Sequence, residues 1–393
     1  MTAPDLPFDR PEYNRRLRLV RAEMEARELD LLFIEDPSNM AWLTGYDGWS
    51  FYVHQGVIVR RTGNPIWWGR AMDAAGARRT VWMGEECIAG YDDSHVQNPS
   101  KHAMEDLAAR IHDLGLSAAR IGVEMDNYYF SARAFLTLQR DLPNAVLVDA
   151  TGLVNWQRLV KSPAEITFMR RAAAISEHMV DGWLDRAEPG MAKNDLVAGI
   201  LSDAVRGADG HWGDYAAIVP MLPSGADAAA PHLTWNGAAL QPDEATFFEL
   251  SGCYRRYHAP LSRTLYFGTP PDEMRRAEAA VVAGLEAGIA AARPGATAGD
   301  VAAALFDTFA AHGIEKDSRC GYPVGLSYPP DWGERTASFR RGDGTVLEPG
   351  MTFHFMPGVW SDSWGLEITE TILIREDGPA EALCDRPRAL FVK

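Results

Sequence analysis

Two stretches of the chain, LQPDEATFFEL at residues 240–250 and LEPGMTFHFM at residues 347–356, carry the pattern that decides the fold. Each begins with Leu, then Gln or Glu, then Pro, and continues into an apolar strand pattern. The two stretches begin 107 residues apart. A Pro-Gly pair followed five residues later by Asp and an apolar residue also recurs, at Pro189 and Pro294, with an offset of 105 residues. Near-equal offsets of two patterns indicate a duplicated half-domain whose halves pack about a pseudo-two-fold axis.

The first 150 residues have a different organisation. Apolar residues at helical spacing over 11–29 lead into a short apolar strand at 31–34, and further helical and strand patterns follow in turn. Such alternation is typical of an α/β domain. A polar stretch with Ser162 as N-cap and Pro163 in the first turn then opens a long helix. We therefore expect an N-terminal domain over residues 1–157 and a C-terminal domain over residues 158–393.

The composition argues against several classes of protein. With 38 basic and 54 acidic residues the net charge is −16, whereas nucleic-acid binding needs a cationic surface. No stretch approaches the roughly 18 apolar residues of a membrane helix, and the first residues lack the basic and apolar regions of a secretion signal. Four widely spaced cysteines suit a reducing compartment. We expect a cytoplasmic protein with no nucleic-acid or membrane partner.

Motifs spread over nearly the whole chain form one set: a turn at 36–39 with 42–46, a junction at 158–165, the pair Pro231-His232, a strand at 262–265 and a late strand at 347–351. Together they resemble the creatinase, aminopeptidase P and methionine aminopeptidase superfamily. The resemblance implies an α/β (α+β) fold, with an N-terminal creatinase-like domain and a C-terminal pita-bread domain built from an internal pseudo-two-fold repeat. It also implies that His232 occupies the position of the family's catalytic histidine.

The same resemblance indicates at which metal-ligand positions this chain differs from the metallopeptidases of the superfamily. Metallopeptidases of the superfamily hold two metal ions with two Asp, one His and two Glu. The matching positions in this chain are Glu249, Pro260, Tyr322, Met356 and either Thr369 or Glu370. Pro and Met side chains cannot bind a hard dication at such a site. We therefore expect no metal and no other cofactor, as in creatinase, which hydrolyses a guanidinium compound without metal.

Sequence segments that contain several aromatic residues lie at residues 42–55, 123–129, 151–156 and 257–264. They resemble those of the bacterial ectoine hydrolases, a branch of this superfamily. The resemblance implies that the small-molecule substrate is ectoine, a cyclic amidinium carrying a carboxylate, and that the product is N-acetyl-L-2,4-diaminobutyrate. Two alternatives stay open: another metal-free C–N hydrolase acting on an amidinium or guanidinium compound, and a pseudo-peptidase that only binds a peptide or protein.

Glu249 is the candidate catalytic carboxylate. A pocket between the two half-domains would receive Glu249 from one copy and Met356 from the other. The apolar neighbours of Glu249 in 247–250 would desolvate it and raise its pKa. Such a carboxylate could accept hydrogen bonds from the N–H groups of an amidinium ring. The alternative is a structural carboxylate paired with an Arg such as Arg263.

His232 is the candidate acid–base group. A neutral imidazole can take a proton from water near neutral pH and return it to the leaving nitrogen. His258 and His354 are rival candidates. His354 alternates with its phenylalanine neighbours on a strand, so it faces either the pocket or the opposite side.

Further residues are assigned to substrate binding. The aromatic residues near 46–54 could surround a flat cation through cation–π contacts, or they could instead pack a domain or subunit interface. The two late Glu residues are three apart on a strand, so only one of them faces the site. The complete set is Trp49, Phe51, Tyr52, His54, Tyr257, His258, Tyr322, Met356, Trp360, Glu367 and Glu370.

The oligomeric state follows from the resemblance alone. In creatinase-like dimers the N-terminal domain of one subunit closes the active site of the other. We therefore expect a homodimer in which residues 46–54 complete the partner's site.

Overall fold

The computed structural model describes residues 5–393, and the chain divides into an N-terminal unit that ends at Arg158 and a C-terminal unit, Leu159–Lys393. In the described part of the chain, no helix is both long and apolar enough to cross a membrane.

In its described part, residues 5–158, the N-terminal unit contains six α-helices, six strands and three short 3₁₀ helices. The helices are α1 Arg10–Ala26, α2 Pro37–Thr44, α3 Ala74–Thr80, α4 Ala103–Asp113, α5 Ala132–Asp141 and α6 Leu153–Arg158. The strands are β1 Leu31–Ile34, β2 Gly56–Arg60, β3 Ile66–Arg70, β4 Ile88–Tyr91, β5 Arg120–Val123 and β6 Val146–Asp149. The 3₁₀ helices are Ala71–Asp73, Glu85–Cys87 and Asp93–His95.

These strands form one mixed sheet in the order β4-β3-β2-β1-β5-β6. The β1–β5, β5–β6 and β3–β4 pairs are parallel, and the β1–β2 and β2–β3 pairs are antiparallel. Helices α4 and α5 pack their apolar residues on this sheet. The alternation of helices and strands expected from the sequence is therefore confirmed.

A buried carboxylate holds the carboxyl ends of β1 and β5 together. Glu124, just after β5, accepts hydrogen bonds from the backbone N–H groups of Glu35 and Asp36 at 2.8 Å each. It also accepts from Asn39 Nδ2 at 2.6 Å. Asp36 in turn caps α2 by accepting from the Ser38 N–H at 2.7 Å. This network explains why the turn at 36–39 has its particular polar sequence.

The C-terminal unit contains four α-helices, nine strands and a 3₁₀ helix at Gly225–Ala229. The helices are α7 Pro163–Arg186, α8 Lys193–Arg206, α9 Asp272–Ala291 and α10 Ala298–Ala311. The strands are β7 Ala245–Tyr254, β8 Tyr257–Tyr266, β9 Gly321–Pro323, β10 Thr352–Phe355, β11 Gly358–Trp360, β12 Gly365–Glu367, β13 Glu370–Leu373, β14 Glu381–Ala382 and β15 Phe391–Val392.

The C-terminal unit is built from two half-domains. In the first, α7 and α8 pack on the long antiparallel hairpin β7–β8, which the late strand β15 extends by pairing parallel to β8. In the second, α9 and α10 pack on the sheet β14-β13-β10-β9. Each half has its own cluster of buried apolar side chains. The duplication expected from the sequence, and with it the fold class, is confirmed.

Helix α7 begins as the sequence predicts. The Ser162 side chain accepts from the Glu165 N–H, and the Glu165 carboxylate accepts from the Ser162 N–H at 2.9 Å, so the two residues form a capping box. Pro163 follows in the first turn, where its missing N–H costs no helical hydrogen bond.

A row of side-chain hydrogen bonds joins the two half-domains, and we call it the central seam (Ser262, Thr264, Glu367 and Thr369). Thr264 Oγ1 donates to the Glu367 carbonyl at 3.0 Å and accepts from the Glu367 N–H at 2.9 Å. Thr369 Oγ1 accepts from the Ser262 N–H at 2.8 Å. Because successive side chains of a strand point to opposite faces, residue 263 lies on the other side of β8 from its neighbours.

Arg263 occupies that other side and is fully buried. It donates five hydrogen bonds of 2.7–3.0 Å, which is the full donor capacity of a guanidinium group. The acceptors are the Glu370 carboxylate and the carbonyls of Ser262, Thr369, Arg386 and Pro387. Arg263 therefore joins β8 to β13 and to the chain that leads into β15.

Replacing Arg263 with Lys should destabilise the protein by about 2–6 kcal/mol. An ammonium group cannot reproduce the planar arrangement of five donors, so at least two buried acceptors lose their partner, at about 1–3 kcal/mol each. Urea unfolding followed by circular dichroism measures the change. Arg388→Lys is the matched control, because Arg388 is only partly buried and makes a single 3.2 Å bond to Glu370. An Arg263→Lys protein within 1 kcal/mol of the parent would contradict this role.

Candidate active site

Glu249 lies in the middle of β7, where the backbone pairs with Ser262 on one side and with Met221 on the other. The side chain of Glu249 is 9% exposed. The nearest basic group is the imidazole of His354, whose Nδ1 is 3.8 Å from Oε1 of Glu249. Glu249 is thus a buried carboxyl group without an Arg or Lys partner in any ion pair of the described residues, and the alternative pairing with Arg263 is wrong, since Arg263 binds Glu370.

A second buried carboxyl, Glu367, lies at the end of β12 in the central seam, close enough to influence Glu249 electrostatically. Burial raises the pKa of Glu249 well above its usual value, and the charges of Glu367 and Asp331 raise it further. Burial also raises the pKa of Glu367 to about 7, although the Ser262 hydroxyl and the Lys316 ammonium partly offset this effect. Two neighbouring carboxyl groups with raised pKa values retain a proton near neutral pH.

His354 is fixed by hydrogen bonds at both ring nitrogens. Nε2 lies 2.8 Å from Thr369 Oγ1, and Nδ1 lies 3.3 Å from the Tyr322 hydroxyl. That hydroxyl also accepts from Trp332 Nε1 at 2.8 Å. Burial lowers the pKa of His354 to about 3, so the imidazole is neutral at physiological pH. A neutral imidazole beside a carboxyl group can accept or donate one proton.

We call these residues the Glu249 cluster (Glu249, Glu367, His354, Tyr322 and Trp332). Burial, and next the charge of Glu249, raises the pKa of Tyr322 well above its usual value, so the phenol remains protonated and can donate. The cluster therefore combines carboxyl groups that can carry either charge state, a neutral imidazole and a phenol donor.

Glu370 lies outside this cluster. Its carboxylate accepts from Arg263 Nη2 at 2.7 Å and from Arg388 Nε at 3.2 Å. Of the two late Glu residues, Glu367 is the one beside Glu249, and Glu370 has the structural role of a counter-ion. The sequence predicted that only one of the two would face the site.

Other residues assigned to substrate binding make different contacts. The Tyr257 hydroxyl donates to Glu165 at 2.7 Å, within the capping box of α7. His258 is fully buried, and its Nε2 accepts from the Ala217 N–H at 2.9 Å. Met356 follows β10 and donates its backbone N–H to Cys320. Trp360 is half-buried, with its ring 5.1 Å from Lys316 Nζ.

His232 lies in the loop after the 3₁₀ helix at Gly225–Ala229, and its side chain is exposed. Among the described residues no ion pair or hydrogen bond links it to Glu249. The imidazole that the fold brings to Glu249 is that of His354, a rival candidate in the sequence analysis.

The predicted aromatic loop belongs to the N-terminal unit. Trp49 and Tyr52 are 60% and 62% exposed. Phe51 is half-buried and packs on Trp49, with ring centroids 4.6 Å apart. His54 Nδ1 lies 2.5 Å from a carboxyl oxygen of the buried Glu35.

Sequence reasoning missed Trp332, a member of the Glu249 cluster, and two charged residues, Asp331 and Lys316, that influence its carboxyl groups. Trp332 and Asp331 lie in an irregular loop before β10, and Lys316 lies in the segment before β9. Each is brought to the site from a segment with no strand or helix pattern, so periodicity gave no signal for them. The Pro-Pro-Asp-Trp-Gly run at 329–333 could have attracted notice as a loop with a large aromatic residue.

Comparison with known proteins identifies the family. The creatinase/prolidase N-terminal domain matches residues 16–160, and metallopeptidase family M24 matches residues 167–376. The chain therefore belongs to metallopeptidase family M24, with a creatinase/prolidase-type N-terminal domain, and is a hydrolase. A protein named ectoine hydrolase from Halomonas elongata is 54% identical over the full length of both chains. The resemblance stated from the sequence is confirmed.

Other relatives are more distant. An uncharacterised hydrolase/peptidase of Sinorhizobium fredii is 40% identical over 99% of each chain. Among solved structures, dipeptidase PepE from Mycobacterium ulcerans superposes with a TM-score of 0.79 at 23% identity, covering 98% of this chain and 99% of that one. A prolidase from Thermococcus sibiricus gives a TM-score of 0.84 at 18% identity, covering 97% and 99%. These structures share the fold.

The residues of this chain do not fit the two-metal centre that the family name implies. Pro260 has no side-chain donor atom, and its carbonyl accepts from Thr371 Oγ1 at 2.8 Å. The Tyr322 hydroxyl is bound by Trp332, and Glu370 is bound by Arg263. Within residues 5–393 no group of three or more His, Cys, Asp or Glu is placed to hold an ion.

The raised carboxyl pKa values predict how stability depends on pH. Between pH 4.5 and about 7 the folded state binds more protons at Glu367 than the unfolded state, so the free energy of unfolding should fall as the pH rises. Glu367→Gln removes this group. The free energy of unfolding of Glu367→Gln minus that of the parent should therefore be larger at pH 8 than at pH 5, by up to about 3 kcal/mol. Urea unfolding at both pH values measures this difference.

Glu376→Gln is the control for that measurement, because Glu376 is exposed in the same unit. Its stability relative to the parent should be the same at both pH values. If the difference in free energy of unfolding between Glu367→Gln and the parent is also the same at both pH values, Glu367 is not desolvated by the fold.

Proposed function

We propose that the protein is a cytoplasmic enzyme that opens the amidine ring of ectoine by hydrolysis, without a metal ion, and releases N-acetyl-L-2,4-diaminobutyrate. The observation that carries the proposal is the pair of buried carboxyl groups, Glu249 and Glu367, at a position where the residue types do not suit a metal centre. The 54% identity to a protein named ectoine hydrolase supports the choice of substrate.

The first step is recognition of a cation. An amidinium placed in a water-poor pocket needs a counter-charge, because an unpaired buried charge costs several kcal/mol. Burial and Glu367 both favour the protonated form of Glu249 in the free protein. A bound amidinium has the opposite effect on its pKa, so binding ionises Glu249, which then accepts hydrogen bonds from the ring N–H groups.

The second step is hydrolysis. Water attacks the amidinium carbon and gives up a proton, the tetrahedral intermediate transfers a proton to one ring nitrogen, and that C–N bond breaks to leave an acetamide and an amine. Glu367, with a pKa of about 7, can take and return such a proton near neutral pH. Tyr322, which remains protonated, can donate a hydrogen bond to the intermediate.

A histidine is the second candidate for the group that carries the proton, and two histidines come into question, His354 and His232. His354 is neutral and lies 3.8 Å from Glu249. His232, which the family motif favours, would have to reach the substrate from an exposed loop. We assign proton transfer to the Glu249 cluster, and His232 remains a sequence-based prediction.

The proposal includes a homodimer whose partner subunit contributes residues 46–54. The support is the exposure of Trp49 and Tyr52, large aromatic side chains that proteins usually cover. Their flat rings could contact the substrate cation.

Incubation with ectoine tests the function directly. Proton NMR should show loss of the ring signals and appearance of an acetyl group on the α- or γ-nitrogen of diaminobutyrate. Turnover should survive exhaustive treatment with EDTA, because Pro260, Tyr322 and Met356 cannot replace the missing ligands. Creatine serves as the control substrate. Loss of turnover that one stoichiometric divalent ion restores would contradict the metal-free mechanism.

Glu249→Gln should lower kcat/KM for ectoine by roughly two to four orders of magnitude. The change keeps the shape of the side chain but removes the counter-charge of a desolvated ion pair, which typically costs about 3–5 kcal/mol. Steady-state kinetics at pH 7.5 measures the effect, with the exposed Glu376→Gln as the matched control. Activity of Glu249→Gln within about threefold of the parent, less than 1 kcal/mol, would make Glu249 a structural residue.

A further inference from the structure

The N-terminal unit contains a cavity that is separate from the Glu249 cluster. It has a volume of about 370 Å³ and lies between β4, the start of α4 and the segment 92–103. It is lined by Tyr52, Val53, His54, Tyr91, His95, Val96, Gln97, Asn98, Pro99, Lys101, His102, Ala103 and Arg133. A volume of this size is at the lower end of the range for small-molecule sites.

The permanently charged side chains that line this cavity are both cations. Lys101 and Arg133 carry permanent positive charges, and no Asp or Glu is among the described lining residues. The whole chain has a net charge of −16, so its composition does not predict a cavity lined only by cations and neutral groups. A concave surface with this lining concentrates anions.

Both cations keep N–H groups for a ligand. Lys101 Nζ donates to Ser94 Oγ at 3.1 Å, and Arg133 Nη2 donates to the Pro99 carbonyl at 3.0 Å. These acceptors are neutral, and the carboxylate of Asp92, whose pKa Lys101 helps to lower, lies outside the cavity lining. The remaining donors of an ammonium and a guanidinium group can bind a carboxylate.

A buried histidine at the cavity wall adds a further donor. His102 is only 8% exposed, and its Nδ1 accepts from the Met104 N–H at 3.2 Å as the N-cap of α4. The proton of the neutral ring is therefore on Nε2, which is free to donate. The N-terminus of this 11-residue helix also favours a negative charge.

The backbone of the wall is strained at one residue. Gln97 has a φ of 49°, a left-handed conformation that is uncommon for residues other than Gly, Asn and Asp. Non-Gly residues are held in such conformations by their surroundings, and they cluster at sites that bind ligands. The amide side chains of Gln97 and Asn98 both line the cavity, and the Tyr52 ring offers a flat apolar surface.

We propose that this cavity binds a small organic acid through its carboxylate. Lys101, Arg133 and His102 supply the donors, and the aromatic and amide side chains contact the organic part. Organic anions fit better than inorganic ones because Tyr52 and Tyr91 are flat aromatic walls that phosphate would leave unused. This binding does not use the Glu249 cluster, although Tyr52, Val53 and His54 also belong to the segment 46–54 that the proposed homodimer places at the partner's site.

Isothermal titration of the full chain with succinate tests the proposal, with acetate and inorganic phosphate as separate probes. We expect one saturable succinate site per chain, and weaker binding by at least tenfold in both Lys101→Gln and Arg133→Gln. Arg79→Gln is the matched control, because Arg79 is an exposed cation of the same unit outside the cavity, and it should bind as the parent does.

NMR of the histidine side chains locates the site. Addition of succinate should shift the imidazole signals of His54 and His102, assigned with single His→Gln variants, and the shift should persist in Glu249→Gln. Absence of saturable binding, binding unchanged in both cation variants, or loss of binding in Glu249→Gln would overturn the proposal. Tighter binding of phosphate than of succinate would overturn the assignment to an organic acid. Ectoine turnover is measured separately, so neither result decides the other.

Discussion

The structure of the C-terminal unit depends on one guanidinium group. Arg263 is fully buried, and its five hydrogen bonds fix β8, β13 and the chain after β14 relative to one another. Because side chains alternate along a strand, fixing Arg263 on one face of β8 presents Ser262 and Thr264 on the other. Those two residues then position Thr369 and Glu367 across the central seam, so the site depends on a contact made behind it.

The site that results has an unusual balance of charge. Two carboxyl groups, Glu249 and Glu367, are buried close to each other, and a neutral His354 is the nearest base. Because no Arg or Lys forms an ion pair with Glu249 among the described residues, the carboxyl groups either keep their protons or meet a cationic molecule. A cationic substrate can therefore change the protonation state of the site that binds it.

The sequence predicted the features that depend on local or repeated patterns. The repeat located Glu249 on its strand, and the polar run before α7 located the N-cap Ser162. It could not choose between Glu367 and Glu370, because the choice depends on where a strand ends and the next begins. Trp332 reaches the site from an irregular loop whose path depends on tertiary packing alone, which no periodicity reports.

The position of β15 has a consequence for how the chain reaches its folded state. This strand pairs with Leu265 and Tyr266 of the first half-domain, although more than a hundred residues, including the whole second half-domain, separate the partners in sequence. Closing so long a loop costs more conformational entropy than any pairing within one half, and contacts of this kind form late. The half-domain that a ribosome makes first is thus completed only after the half-domain made second.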